Sequence, residues 1–230
     1  LTMGSGYGRV VIDSNFVGGG KYRSKTLRQL VERLDRRGHE VAVPEIVIWE
    51  WAEHLHQELR ESSVAVAPTI RMVERSGLPY QVTQVVVPDV DQIVDDITND
   101  LATMANVRVI DVDPTDAVEA VRGQVLQVGH GVKRAGVKTG AADALVAAAA
   151  RACALDLDVD DQLVMCTNDA GLGKLVEKLP GGPVVVRNER ALWEWHGTTT
   201  PDGDTVAANL EGALLERLTE WCNSKAGFFD

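Results

Sequence analysis

The sequence predicts an α/β fold: a central, mainly parallel sheet of roughly five strands, helices packed on it, and a helical insertion. Three observations predict it. Short apolar runs of the kind buried on both sheet faces recur, among them the β-branched Val10-Val11-Ile12 after Arg9, and Leu163-Val164-Met165-Cys166. Between them lie longer segments with apolar residues at helical spacing. Aromatics are only 5% of the 230 residues, and Ala, Val and Leu dominate a hydrophobic content of 45%, enough for one core plus a sizeable insertion.

The first strand stops at Asp13-Ser14-Asn15, three oxygen-bearing side chains in a row. Ligands in open α/β sheets sit beyond the carboxyl ends of the strands, so this acid is placed for chemistry; capping the next turn is its other use. Val17-Gly18-Gly19-Gly20 is a turn. From Lys21 to Arg37 the chain is basic, while Leu27, Leu30, Val31 and Leu34 repeat at helical spacing. One face of that helix docks on the sheet; Lys21, Arg23 and Lys25 are candidates to meet phosphate. His39 to Pro44 reads as strand two, and Glu45 to Leu59 as a helix with Glu50 off its apolar stripe. Ser62 to Gly77 reads as a separate helix, Val85 to Pro88 as an extended piece, and Asp91 to Met104 as an amphipathic helix with a solvated acidic face.

Val107 to Val112 is strand three, and Asp113-Pro114-Thr115 starts a helix running to about Val128. The stretch Gly129 to Gly140 has P-loop-like glycines, but Val137 stands where a lysine must follow the second of them. A mobile cationic loop carrying Lys133, Arg134 and Lys138 is the better reading. Thr139 is placed to cap the most apolar helix, Ala144 to Leu155, with Asp143 in its first turn. Strand four, Leu163 to Cys166, ends in Thr167-Asn168-Asp169, repeating the signature of strand one. A helix from Leu172 to Leu179 and strand five, Pro183 to Arg187, follow. Residues 1–8 read as a disordered N-terminus, 9–197 as one domain with its insertion at about 60–105, and 198–230 as a polar linker and an amphipathic helix, Val206 to Trp221.

A net charge of −11 excludes nucleic-acid coating through bulk positive charge, but not a nuclease whose acids are offset by cations. Cys153, Cys166 and Cys222 are too scattered for a disulfide framework or zinc site, which sets a reducing, cytoplasmic location as the expectation. The longest apolar run is interrupted by Arg151 and too short to span a bilayer, so no membrane association is expected.

Asp13, Glu50, Asp143 and Asp169 all fall at strand ends or in first helical turns. With right-handed parallel crossovers those ends share one edge. Like charges brought together raise each other's pKa, and a divalent cation resolves the conflict; Mg²⁺ or Mn²⁺ suits carboxylate oxygens and bridges to phosphate.

Here the chain resembles a known family. Val-Val-Ile-Asp13-Ser-Asn, Pro44 with Glu50 six residues on, Gly-Ala-Ala-Asp143-Ala-Leu-Val and Cys-Thr167-Asn168-Asp169 are similar to the four acidic motifs of PIN-domain nucleases, chiefly through the last two and their roughly 25-residue spacing. The resemblance covers about residues 9–60 and 105–195. It implies a PIN-like three-layer α/β/α fold and endoribonuclease activity dependent on Mg²⁺ or Mn²⁺ around Asp13, Glu50, Asp143 and Asp169, with Ser14, Asn15, Thr167 and Asn168 as supports. It also implies an RNA substrate, and the local positive charge makes Lys21, Arg23, Lys25, Arg134 and Lys138 the candidates to meet its phosphates. An antitoxin or other protein partner and a homodimer fall within the family's range. The insertion and tail set the chain apart from the compact toxin members and closer to larger bacterial PIN-like proteins. Two other readings stand beside this one. A phosphatase using Asp13 as nucleophile would want an acid two residues later, where Asn15 stands; a non-catalytic PIN-like interaction module would have no use for four clustered carboxylates.

Overall fold

The computed structural model describes residues 8–77, 79, 86–158 and 161–199. These fall in two compact units that divide after Asn188. The first is a three-layer α/β/α fold built on a five-stranded, wholly parallel sheet. Its strands are β1 (Gly8–Ile12), β2 (Glu40–Pro44), β3 (Val107–Ile110), β6 (Gln162–Cys166) and β7 (Val184–Val186), in spatial order β3-β2-β1-β6-β7. β1 is central and buried along its whole length, which is why Val10-Val11-Ile12 follow one another without a polar alternation.

The chain steps from β1 outward to β2 and β3, then returns to the other side of β1 for β6 and β7. The strand order therefore reverses between β1 and β6. In doubly wound sheets the crevice beyond the carboxyl ends at such a reversal is where ligands bind. Asp13 leaves one of these two strands and Thr167 the other, and the Asp13 amide still donates to the Cys166 carbonyl at 3.0 Å.

α1 (Ser24–Asp35) and α3 (Val90–Ala102) pack on the strands of one side through Leu27, Leu30, Val31, Leu34, Ile93, Ile97 and Leu101. α5 (Ala141–Leu155) and α6 (Ala170–Val176) serve the strands around the reversal, with Val146, Ala150, Cys153 and Leu172 buried. Cys153 and Cys166 are buried free thiols; Cys222 lies outside the described residues.

Four sequence expectations are corrected. The two helices expected across 45–77 are one 32-residue helix, α2 (Glu45–Ser76). Nothing in Arg60-Glu61-Ser62-Ser63 breaks it, and Gly77, at φ 63°, ends it. The stretch after Gly131 is not a loose cationic loop but a hairpin of β4 (Val132–Arg134) and β5 (Val137–Thr139). Ala135 and Gly136 both have positive φ, 47° and 87°, the mark of a two-residue type I′ turn. Thr139 is consumed by that hairpin, so Gly140 occupies the N-cap position of α5, and Gln124 of α4 (Pro114–Leu126) accepts the Ala141 amide at 3.0 Å instead. Val86-Val87-Pro88 forms no strand. Val85, the N-terminal segment to residue 7 and the expected helix Val206 to Trp221 lie outside the described residues. No described helix is long and apolar enough to cross a membrane. In the second unit, α7 (Glu189–Thr199), not anticipated from sequence, carries an Arg190–Glu194 pair at 2.7 Å.

Candidate functional site

The site is organised by Asp13. Its carboxylate is 4% exposed, at the end of the central strand. Oδ1 accepts the Ser14 amide at 2.8 Å, and Oδ2 accepts the Thr167 hydroxyl at 2.6 Å. Thr167, also buried, accepts the Asp169 amide on the same hydroxyl at 3.0 Å. A single oxygen thus joins the loops after β1 and β6. Asn15 and Asn168 form a second tie: the Asn168 amide donates to Asn15 Oδ1 at 2.8 Å, and Asn168 Nδ2 to the Asn15 carbonyl at 2.9 Å. Below them the buried Trp51 indole donates to the Ser14 carbonyl at 3.0 Å. Tyr22 leans on the Trp51 ring, with centroids 5.3 Å apart.

Burial pushes the Asp13 carboxyl up to about 6 from its ordinary 3.8. The Thr167 and Ser14 hydrogen bonds oppose the rise, while the charges of Glu50 and Asp143 add to it. Two of the other expected acids therefore act on Asp13 at the end of β1: Glu50 from the second turn of α2, and Asp143 from the first turn of α5. Both Glu50 and Asp143 are half-buried. Asp169 is tied to Asp13 through Thr167, while its Oδ1 caps α6, accepting the Gly171 and Leu172 amides at 2.6 and 2.8 Å.

Among the described residues no group of three or more His, Cys, Asp or Glu side chains is drawn into an arrangement that could hold a metal ion. The donor set nevertheless suits a hard divalent cation: all oxygen, with a buried carboxylate whose charge is opposed by two like neighbours.

The basic residues expected to meet phosphate are largely engaged. Lys21 pairs with Glu58, which also lies 3.8 Å from Arg23. Arg28 pairs with Asp100 at 2.5 Å, an acid that Tyr22 also bonds. Lys138 donates to the Val125 carbonyl at 2.6 Å. Lys25 is exposed, and the Arg134 side chain lies outside the described residues. His54 and His56 are spent on the Gly20 and Pro88 carbonyls, at 2.6 and 3.0 Å, rather than gathered with the acids. Sequence reasoning missed Trp51 as the floor of the Ser14 loop, Glu58 as the partner of the basic loop, and Gln124 as the cap of the helix that carries Asp143. Only Trp51 had a signal, its place on the apolar stripe of α2.

No family model and no curated protein matches the chain. Among solved structures it is similar to the PIN domain endonuclease Utp24, with 14% identity and a TM-score of 0.32, over 81% of this chain and 90% of that one. Function is accordingly read from the side chains.

Proposed function

We propose that this chain is a metal-dependent nuclease that hydrolyses RNA phosphodiester bonds internally, with Asp13, Glu50, Asp143 and Asp169 as its working acids. The observation that carries the reading is the buried Asp13 carboxylate at the strand-order reversal, raised to about 6, with Glu50 and Asp143 acting on it. A protein has no structural use for that concentration of negative charge at a ligand-binding edge. Mg²⁺ or Mn²⁺ held by these acids would supply charge neutralisation at a phosphate oxygen and an acidified water. Asp13, fixed by Ser14 and Thr167, would be the anchoring ligand. Asp143 projects from the first turn of α5 and Asp169 from the turn before α6, each with one helix end to hold its position. Glu50 orients the attacking water and accepts its proton. Ser14, Asn15, Thr167 and Asn168 keep the loops after β1 and β6 in register, so that the acids do not part when their charges repel.

Incubating the full chain with a fluorophore-quencher single-stranded RNA in Mn²⁺ tests this. Cleavage by the parent and its loss in Asp143→Asn, with an unchanged circular dichroism spectrum, is the expected result. Retained cleavage in that variant removes the assignment. A DNA strand of the same sequence in parallel decides the RNA preference.

A further inference from the structure

A cleft of about 280 Å³ opens along α5, the helix that carries Asp143, and takes no part in the chemistry above. It is walled by α4, the Val128–Gly131 turn and α5, near the low end of the ~300–1,000 Å³ range of small-ligand sites. Its floor is unusually bare: Ala120, Ala144, Ala147 and Ala148 line it. The wall is stitched in place by close backbone approach. A Cβ on Gly131 would stand 2.0 Å from the Gly123 carbonyl oxygen, and one on Gly140 2.1 Å from that of His130. No side chain fits at either point, so the turn sits directly against α4 and the start of α5. Gln124 closes the same corner through its bond to Ala141.

We infer that this cleft seats one unstacked nucleobase of a single-stranded RNA whose backbone crosses the acidic site, an inference that rests on the nuclease reading. Three features select that occupant. First, the cleft shares a helix with one of the acids: Ala144 directly follows Asp143 on α5, and Ala147 lies one turn beyond it, ~6 Å along the axis. That is the scale of one step along an extended strand. Second, the floor of alanines is a flat apolar shelf, and guanidinium groups stand at its rim. Arg151 is held by Asp116 at 2.9 Å, while Arg122 has only a 3.4 Å contact with Glu119 on its own helix. A guanidinium plane held that loosely can swing over a base and stack on it. Third, the imidazole of His130 lines the cleft, and its Nδ1 is buried with no hydrogen-bond partner. A buried polar atom left unpaired is costly, and a ring flip toward a base edge would satisfy it.

Ala148→Phe, which fills the shelf and replaces none of the four working acids, tests the inference in the full chain. Fluorescence anisotropy in Ca²⁺ with a mixed-sequence single-stranded 12-mer reads binding. A blunt duplex of the same sequence, whose bases stay stacked, is the control. The expected result is at least ten-fold weaker single-strand binding with duplex binding within two-fold, and in Mn²⁺ a rise in KM with kcat little changed. Arg122→Ala, on an exposed helix face, should reproduce the effect in smaller measure if Ala148→Phe proves unstable in thermal melts. Equal single-strand binding by the parent and both variants overturns the base site, and points instead to an apolar side chain of a partner protein. Parent chain that cleaves while the variants bind normally sinks this inference alone. Loss of binding in the variants without cleavage by any chain sinks the nuclease reading and leaves the base site standing.

Discussion

At the scale of single residues, the arrangement around Asp13 trades stability for chemistry. Its folded pKa, about 6, lies above the unfolded 3.8, so the folded state holds this proton more tightly than the unfolded chain does. The sign follows: stability is lost as pH rises through the interval from about 4 to 6, and the penalty is fully present at pH 7. Its size is on the order of 3 kcal/mol, at ~1.4 kcal/mol per unit. Asp13→Asn removes the charge. It also replaces one acceptor with a donor facing the Thr167 hydroxyl, so part of the gain is returned. The variant should be about 1–2 kcal/mol more stable than the parent at pH 7.5 in EDTA, the advantage vanishing by pH 4, while cleavage is abolished. Urea unfolding at the two pH values measures the first, and the RNA assay the second; a variant less stable than the parent at pH 7.5 would show that the charge is already relieved. Thr167→Val acts in the opposite direction. It strips Asp13 Oδ2 and the Asp169 amide of their shared partner, so stability should fall by about 1–3 kcal/mol and activity with it. Restoration of both by Thr167→Ser would identify the hydroxyl, not the methyl, as the group that matters.

At the scale of elements, the site depends on where two helices begin. α5 starts with a glycine that offers no side-chain cap, and Gln124 on α4 supplies the missing acceptor to Ala141, two residues before Asp143. Gln124→Ala should cost about 1 kcal/mol, as cap losses do, and lower kcat by letting the first turn of α5 fray under Asp143. Urea denaturation and single-turnover cleavage measure the two effects. α2 shows the converse, an element longer than its packing requires. Its buried residues, Val47, Ile48, Trp51 and Ala52, all lie in the first quarter of the helix, and the exposed Pro68 interrupts the later turns. Proline in a helix interior costs ~3 kcal/mol relative to alanine. Pro68→Ala should therefore strengthen the 222 nm helix signal and protect the amides around residue 64 from hydrogen exchange, with RNA cleavage unaffected. The continuity of α2 was not legible in the sequence because the charged and serine-containing 60–63 stretch looks like a boundary, although none of its residues stops a helix. The β4–β5 hairpin was illegible for a related reason: its turn places Ala135, a residue with no φ > 0 preference, in the left-handed region, which only the pairing of the flanking strands enforces.

At the scale of the whole molecule, what could be read was whatever depends on order along the chain. β1 and β6 declare themselves as uninterrupted apolar runs, and Asp13 and Asp169 as the polar residues that end or follow them. Parallel topology then puts their ends on one edge. What could not be read depends on contacts across the fold, such as Glu58 neutralising Lys21 or Asp169 spending an oxygen on α6. These determine how much of the −11 charge is compensated locally and how much stays concentrated at Asp13, Glu50 and Asp143. A last prediction separates the two. If the surplus charge were merely spread over the surface, raising NaCl from 50 to 300 mM would stabilise the chain as well as any divalent ion, because surface repulsion is screened within ~10 Å at 0.1 M. A buried carboxylate is screened far less. Mn²⁺ at a hundred times its dissociation constant should therefore add about 2.7 kcal/mol that NaCl does not reproduce, and EDTA should remove it. Asp13→Asn and Asp143→Asn should each lose most of that increment, while Asp95→Asn, on the exposed face of α3, should keep it. Calorimetric melts across the four chains measure this; an equal Mn²⁺ increment in all of them would assign the effect to the surface and leave the cluster without a cation.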